Sequence, residues 1–405
     1  MLYAETYAKT RGEPHGNTQW RLGLLLFSRL LRWPLCGHLC WHLCRHLRWL
    51  LLLVASTLAQ AAAAQTAATQ VASDMPAGVI LQYHHVDSTT PAATSIDPAR
   101  FKQHMALLAR GGYHIWPIER LINALRQHQS VPDKVVVITF DDAYPSIYTR
   151  AFPLLRARGW PFSIFVATQY IQAAEGQFLS WAQLREMQAA GASIINHTHS
   201  HPHLLRRLSG ESSADWRNRV QAEITTAQQL LKQHLGVTDK LLAYPYGEYD
   251  THIAHLVKQL GFVAFGQQSG AVGPDSDFTA LPRFPLSGNY SDLDTLQTKL
   301  DTRPLPLHAR HTNPLLVHNA SRPSLTMSFT RDDLAFEQLA CYGPSGPTTI
   351  TRLGSGRYSA RSDAPVPVGR SRYNCTMPVG NTARFYWFSQ LWIRRNPDGS
   401  WYPEP

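Results

Sequence analysis

The stretch Val135-Val136-Val137-Ile138-Thr139-Phe140-Asp141-Asp142 sets a continuous apolar, largely β-branched run immediately before two carboxylates. Such a run, too short for a helix of ordinary length, reads as a strand buried on both faces, which is the mark of a parallel sheet. Whatever follows such a strand is delivered to the C-terminal rim of the sheet, where α/β folds place their chemistry. Adjacent residues at a strand end cannot point the same way, so Asp141 and Asp142 divide their roles: one can ligate a cation while the other faces a water. A second cluster, His197-Thr198-His199-Ser200-His201, follows another apolar run, Ser193–Asn196. His197 and His201 can converge on one ion if the backbone between them turns helical, and neutral imidazole suits a divalent transition metal. His199 and His203 repeat the spacing, and residue type does not exclude them as a second pair, solvated rim histidines being the expected reading.

Outward from these clusters the chain alternates. Strand-like segments at Val79–His84, Phe162–Ala167, Leu241–Tyr246 and Phe262–Gly266 are separated by helical patterns at Ile147–Arg158, Trp181–Ala190, Ala214–Leu235 and Thr251–Leu260. Repeated βα units of this spacing predict parallel strands. The lack of a glycine-rich dinucleotide turn favours a closed barrel over an open doubly wound sheet, with Leu281–Leu286 and the helix-like Ser291–Leu300 closing it.

After Thr302 the composition changes. Pro304, Pro306, Pro314 and Pro323 mark a linker at 303–318, and from 319 to 405 turn-separated segments without helical periodicity predict a small all-β domain. In Phe385-Tyr386-Trp387-Phe388-Ser389-Gln390-Leu391-Trp392-Ile393 both alternating faces are largely apolar, as in a central strand covered on both sides. A platform for stacking sugar rings is the alternative. Cys341 and Cys375 form an even pair, expected to be bridged in an oxidising compartment.

Charge excludes some functions. Half of the net charge of +10 lies at the start, where Lys9, Arg11, Arg21, Arg29, Arg32, Arg45 and Arg48 face only Glu5 and Glu13. The rest is too nearly neutral for a nucleic-acid binder, and no basic stripe with interleaved aromatics appears. Arg48-Trp49-Leu50-Leu51-Leu52-Leu53-Val54-Ala55 followed by Ala59-Gln60-Ala61 reads as a secretory signal, so residues 1–61 are a basic leader, 62–77 a linker, and the product is exported to the periplasm or outside the cell. Contact with a membrane would come only through this segment left uncleaved. Cys36, Cys40 and Cys44, interleaved with His38, His42 and His46, fall within that leader and are read as a degenerate repeat. Oligomeric state is not legible.

Across residues 78–302 the chain resembles the polysaccharide deacetylase family, carbohydrate esterase family 4, also called NodB-like. Thr139-Phe140-Asp141-Asp142 is similar to its first motif, His197-Thr198-His199-Ser200-His201 to its second and Tyr244-Pro245-Tyr246-Gly247 to its third, in the family's order. The resemblance implies a distorted (β/α)7 barrel. It implies Asp141 as the base that activates water, Asp142, His197 and His201 as ligands of a divalent ion (zinc first, with cobalt, nickel or iron as alternatives), and the Tyr246 backbone N–H as oxyanion stabiliser. Family members often carry Arg two residues before the third-motif proline. This chain has Ala243 there, and Arg283 on the closing segment is the candidate replacement. No Asp-x-x-Asp-Trp or late Leu-x-His segment is evident. His84, after Tyr83, is then the candidate general acid, a pairing similar to that of the branch acting on exported poly-N-acetylglucosamine, while His85 is read as structural. The expected reaction is hydrolysis of N-acetyl groups on an extracytoplasmic polysaccharide. O-acetyl ester or other C–N amide hydrolysis, and glycan binding without turnover, are the competing expectations.

Overall fold

The computed structural model describes residues 75–171, 176–308, 312–316 and 320–403, together with Gln60. The leader, its cysteine and histidine repeat and the linker at 62–74 lie outside these residues, Gln60 apart. Seven parallel strands form the main sheet: β1 Val79–Tyr83, β2 Val135–Phe140, β3 Phe162–Val166, β4 Ala192–Asn196, β5 Leu241–Ala243, β6 Val263–Phe265 and β7 Phe284–Pro285. They lie in the order β7-β1-β2-β3-β4-β5-β6, with His114–Ile115 adding a short parallel pair beside Val135 and Val136. Leu281 bridges to Phe265 on β6 while Phe284 pairs with Leu81 on β1, so residues 281–285 span the gap and close the sheet into a distorted barrel.

Alternation sorts the strand residues onto two surfaces. Leu81, Val136, Ile138, Phe140, Ile164, Val166 and Ile194 face outward and pack with the helices α1 Pro98–Arg110, α3 Phe152–Arg156, α4 Trp181–Ala189 and α7 Leu293–Leu300. Ile80, Val137, Phe165, Ile195, Ala243, Phe265 and Leu281 face inward, where α2, Ile118–Arg126, contributes Ile118, Leu121, Ile122 and Leu125 to the same core. That helix is absent from the sequence expectation. Its apolar residues do recur at helical spacing, but it is entered from Pro117 with no side-chain cap to announce it. Helices α5 Ser213–Leu235 and α6 Thr251–Gln259 flank β5 and β6 and share a further core with Leu242, Tyr244 and Ala264. The helix expected over Ile147–Arg158 opens instead with a wider π turn at Ile147–Ala151 before α3.

The segment expected as a linker, 303–318, is not only a linker. Thr302–Pro304 is a strand, β8, parallel to the long final strand, and Leu307 and Leu315 make further bridges to Phe329 and Ile393. The all-β part continues with β9 Ser324–Ser328, β10 Ala340–Gly343, β11 Gly346–Pro347, β12 Thr349–Gly354, β13 Arg357–Arg361, β14 Gly369–Pro378 and β15 Phe385–Arg394. One sheet runs β8-β15-β14-β10-β11 and the other β9-β13-β12. Cys341 and Cys375 are cross-strand partners on β10 and β14 and are disulfide-bonded.

The two faces of β15 serve two cores. Tyr386, Phe388 and Trp392 pack with Tyr358, Tyr373 and Met377 of the β-domain. Trp387 meets Phe284 of the barrel at 5.5 Å between ring centroids, and Leu391 and Ile393 join the core beside α5 and α6. Its aromatics are therefore packing residues, Phe385 alone being exposed among the large ones.

Candidate metal and catalytic site

Asp141 continues the inward alternation of Val137 and Thr139 one residue past β2, its backbone N–H still donating to the Tyr83 carbonyl at 2.9 Å. It is fully buried. Arg283, also fully buried, reaches it from the closing segment: Nη1 donates to Oδ1 at 2.6 Å and Nη2 to Oδ2 at 2.9 Å. Arg283 Nε donates to the Gly266 carbonyl, and its guanidinium lies 4.8 Å from the Phe165 ring, so the fork is held on its remaining sides. Gln82 Nε2 adds a third donor to Asp141 at 2.7 Å. Burial acts to raise the Asp141 carboxyl, but the Arg283 charge and hydrogen bond together with the nearby His84 and His197 outweigh it, and the net displacement is downward. A bidentate guanidinium therefore keeps a buried carboxylate ionised. Ala243 leaves its inward position small, and the cation comes from the opposite side of the closure.

Asp142 turns away from that clamp. Its φ of 69° places it in the left-handed region, as does the 56° of Ala143 after it. Its Oδ1 lies 3.3 Å from His197 Nε2 and 3.3 Å from His201 Nε2. His197 follows Ile195 on the inward face, and its Nδ1–H donates to the Ala243 carbonyl at 2.8 Å, leaving Nε2 free to face Asp142.

His201 arrives by a different route from the helical turn expected. Thr198 and His201 have φ of 68° and 54°, so the loop doubles back rather than coiling. Asn196 Oδ1 accepts from Thr198 N, Thr198 Oγ1 accepts from His201 N, and Glu223 of α5 accepts from His199 N, Ser200 N and Ser200 Oγ. Five of the seven non-glycine residues with positive φ among the described residues lie in the three motif loops, Tyr246 at 59° being the fifth. Each costs about 1–3 kcal/mol and persists where its surroundings fix it.

The donor set fits a divalent transition metal. Asp142, His197 and His201 each offer one atom, all within 4.8 Å of one another. Two ligands on a tetrahedral ion with bonds of ~2.0–2.1 Å stand about 3.3 Å apart, which is the carboxylate-to-imidazole separation here. Burial, with the neighbouring His197, pushes His201 down to about 4, the neutral form a metal takes. Burial would likewise raise Asp142, but its hydrogen bond with His197 and the adjacent imidazoles pull it far below the usual carboxylate range.

His84 Nε2 stands 3.8 Å from Asp141 Oδ2, on the same mouth of the barrel. His85 stacks on Tyr144 at 3.6 Å, beside the Asp142 carboxylate. Tyr246 sets its ring edge-on to His201 at 4.7 Å. His203 is not the solvated residue expected: it lies flat on Tyr246 at 3.8 Å and its Nδ1 bonds the buried Glu248 carboxylate at 2.8 Å. Gln82, Glu223 and Glu248 stand outside the motifs readable in the sequence. Only Gln82 leaves a trace there, since it sits at the inward register of a strand that otherwise reads as apolar.

A closed parallel barrel with an arginine-clamped carboxylate, and beside it a carboxylate and two imidazoles at one mouth, is an arrangement suited to hydrolysis of carbonyl compounds. Residues 128–265 match the family described as polysaccharide deacetylase. Among curated relatives, the poly-beta-1,6-N-acetyl-D-glucosamine N-deacetylase of Escherichia coli K12 is 25% identical over 248 residues, 53% of this chain and 37% of its own length. The Staphylococcus epidermidis protein of the same name is 30% identical over 164 residues, 39% of this chain and 56% of its own. The chain thus spans about half or less of these relatives. The deacetylase PplD of Streptococcus pyogenes, solved with acetate, shares the fold at a TM-score of 0.50 and 22% identity, over 56% of this chain and 99% of its own.

Proposed function

We propose that this chain is a metal-dependent hydrolase that removes N-acetyl groups from an extracytoplasmic polysaccharide of the poly-N-acetylglucosamine type, releasing acetate and leaving a free amine on the sugar. The observation that carries the reading is the pairing of a buried, arginine-clamped Asp141 with the Asp142, His197 and His201 donor set, in a domain that matches this family. The names of the relatives suggest the substrate class.

Asp142, His197 and His201 would hold the ion, whose chemistry when bound is Lewis-acid polarisation of the acetyl carbonyl. Asp141, kept ionised and oriented by Arg283 and Gln82, takes the proton of the attacking water. The Tyr246 backbone N–H supports the charge that develops on the carbonyl oxygen. His84 returns a proton to the departing amine as the C–N bond breaks. Export through the basic leader would bring the enzyme to its polymer, and no helix among the described residues is long and apolar enough to cross a membrane.

Acetate release from N-acetylated glucosamine oligomers, with O-acetylated xylan in parallel, tests this. The expected result is release from the first substrate, abolished by a chelator and restored by zinc. Release from xylan alone would make the protein an esterase, and binding of oligomers without acetate would make it a lectin-like module.

A further inference from the structure

Successive residues of β14 face opposite ways. Tyr373, Cys375 and Met377 enter the core of the β-domain, while Arg370 and Arg372 reach the barrel. Arg372 donates to the Gln267 carbonyl at 3.1 Å and lies 3.2 Å from Ser269 Oγ. The Gln267 side chain packs against Gly247, at a φ of 68°, so closely that a Cβ there would collide with it. Arg370 Nη1 donates to Glu248 Oε1 at 2.9 Å, and the Tyr402 hydroxyl donates to the same oxygen. Glu248 has no exposed surface, and a carboxylate so placed must be paired. Two of its partners come from the β-domain and its C-terminal extension, the third being His203. His203 in turn lies at 6° to the Tyr246 ring, and the Arg370 guanidinium stands 5.5 Å from that same ring.

We infer that the C-terminal β-domain completes the active site: Arg370 and Tyr402, through Glu248 and His203, are positioning residues that hold Tyr246 and its left-handed backbone in place beside His201. The inference rests on the deacetylase reading for its kinetic consequence only. The contact is specific to one rim. At the other end of β2, Arg384 joins the same two domains through Asp133, with Nη2 to Oδ2 at 2.6 Å, far along the strand from Asp141. That pair provides a control for docking as such.

The test compares Arg370→Gln, Arg370→Lys, Tyr402→Phe and Arg384→Gln in the full chain, by steady-state kinetics, metal analysis and hydrogen exchange of the peptide covering 244–250. Arg370→Gln is expected to lower kcat about 10- to 100-fold, the usual effect of removing an outer support of a metal site, with KM and bound metal unchanged. Exchange at the loop should quicken, Arg370→Lys should recover part of both effects, and Arg384→Gln should leave both unchanged. Equal losses from Arg370→Gln and Arg384→Gln, or a change confined to KM, would overturn the inference. So would an unaltered kcat with an unaltered loop. If Arg370→Gln does not fold, Tyr402→Phe, which keeps the ring, decides the same points. Should the wild-type chain release no acetate, the exchange comparison still tests the clamp, and the failure belongs to the assigned reaction.

Discussion

Asp141 and Asp142 are the same residue type, joined by one peptide bond, yet they occupy opposite environments. Asp141 keeps the ladder hydrogen bond to Tyr83 one residue past β2, points into the barrel and has both oxygens taken by one guanidinium. Asp142, at a φ of 69°, turns towards two imidazoles and retains some exposure. Roles are thus divided by one backbone dihedral and by the charges each carboxylate meets.

The comparison can be broken most completely on the Asp142 side. Asp142→Ala, His197→Ala and His201→Ala each remove one of three protein ligands, and each should cut bound zinc and carry turnover to background. Unchanged zinc stoichiometry, by plasma emission spectroscopy, in all three would dissolve the distinction. Asp141→Asn should keep zinc and lose about 10²–10⁴ in kcat, because the amide fills the same space without accepting a proton. Near-normal turnover would remove Asp141 from the reaction.

Arg283 sharpens the contrast from behind. Arg283→Gln leaves a buried carboxylate without its cation and should cost about 3–5 kcal/mol in denaturant unfolding, while Asp141→Asn combined with Arg283→Gln should recover much of that loss. A double variant less stable than the sum of the singles would reject the clamp. The sign with pH follows from the lowered carboxyl of Asp141. The stabilisation is present above the unfolded value of about 3.9 and disappears as pH falls through the lower folded one.

A smaller effect arises away from the site. His104, buried between the Tyr83 hydroxyl and the Ser291 carbonyl, is pushed by burial down to about 4, with Lys299, Arg100 and Asp292 as its charged neighbours. The unfolded chain then binds a proton that the folded one refuses. Stability should be full above pH ~6.5 and fall by up to about 1.4 kcal/mol per pH unit on the way down to the folded value. His104→Gln should flatten that slope, and an unaltered slope would assign it to other groups.

The barrel strands and the motif residues were legible because β-branched runs ending in carboxylates or histidines have few other uses. Arg283 was legible only as the answer to a missing arginine at Ala243. The route of His201 was not, since left-handed backbone at Thr198 and His201 is dictated by Asn196 and Glu223 rather than by local preference. His203 was misread because its partner, Glu248, lies just past another motif and is itself anchored from β14. Strand β8 hid among prolines because the strand it pairs with, β15, lies more than eighty residues downstream. Apart from the Asn196 contact with Thr198, the deciding contacts are long-range.

The sharing of β15 also bears on inheritance. Trp387 rests on Phe284, the residue beside Arg283, while Tyr386 and Trp392 belong to the other core. A recombination event that carried off the barrel and left this strand behind would strand apolar surface worth roughly 1.5–3 kcal/mol for each large side chain, next to the arginine that clamps Asp141. The two domains are therefore expected to diverge together, substitution matched by substitution across β15, rather than to travel as separate modules.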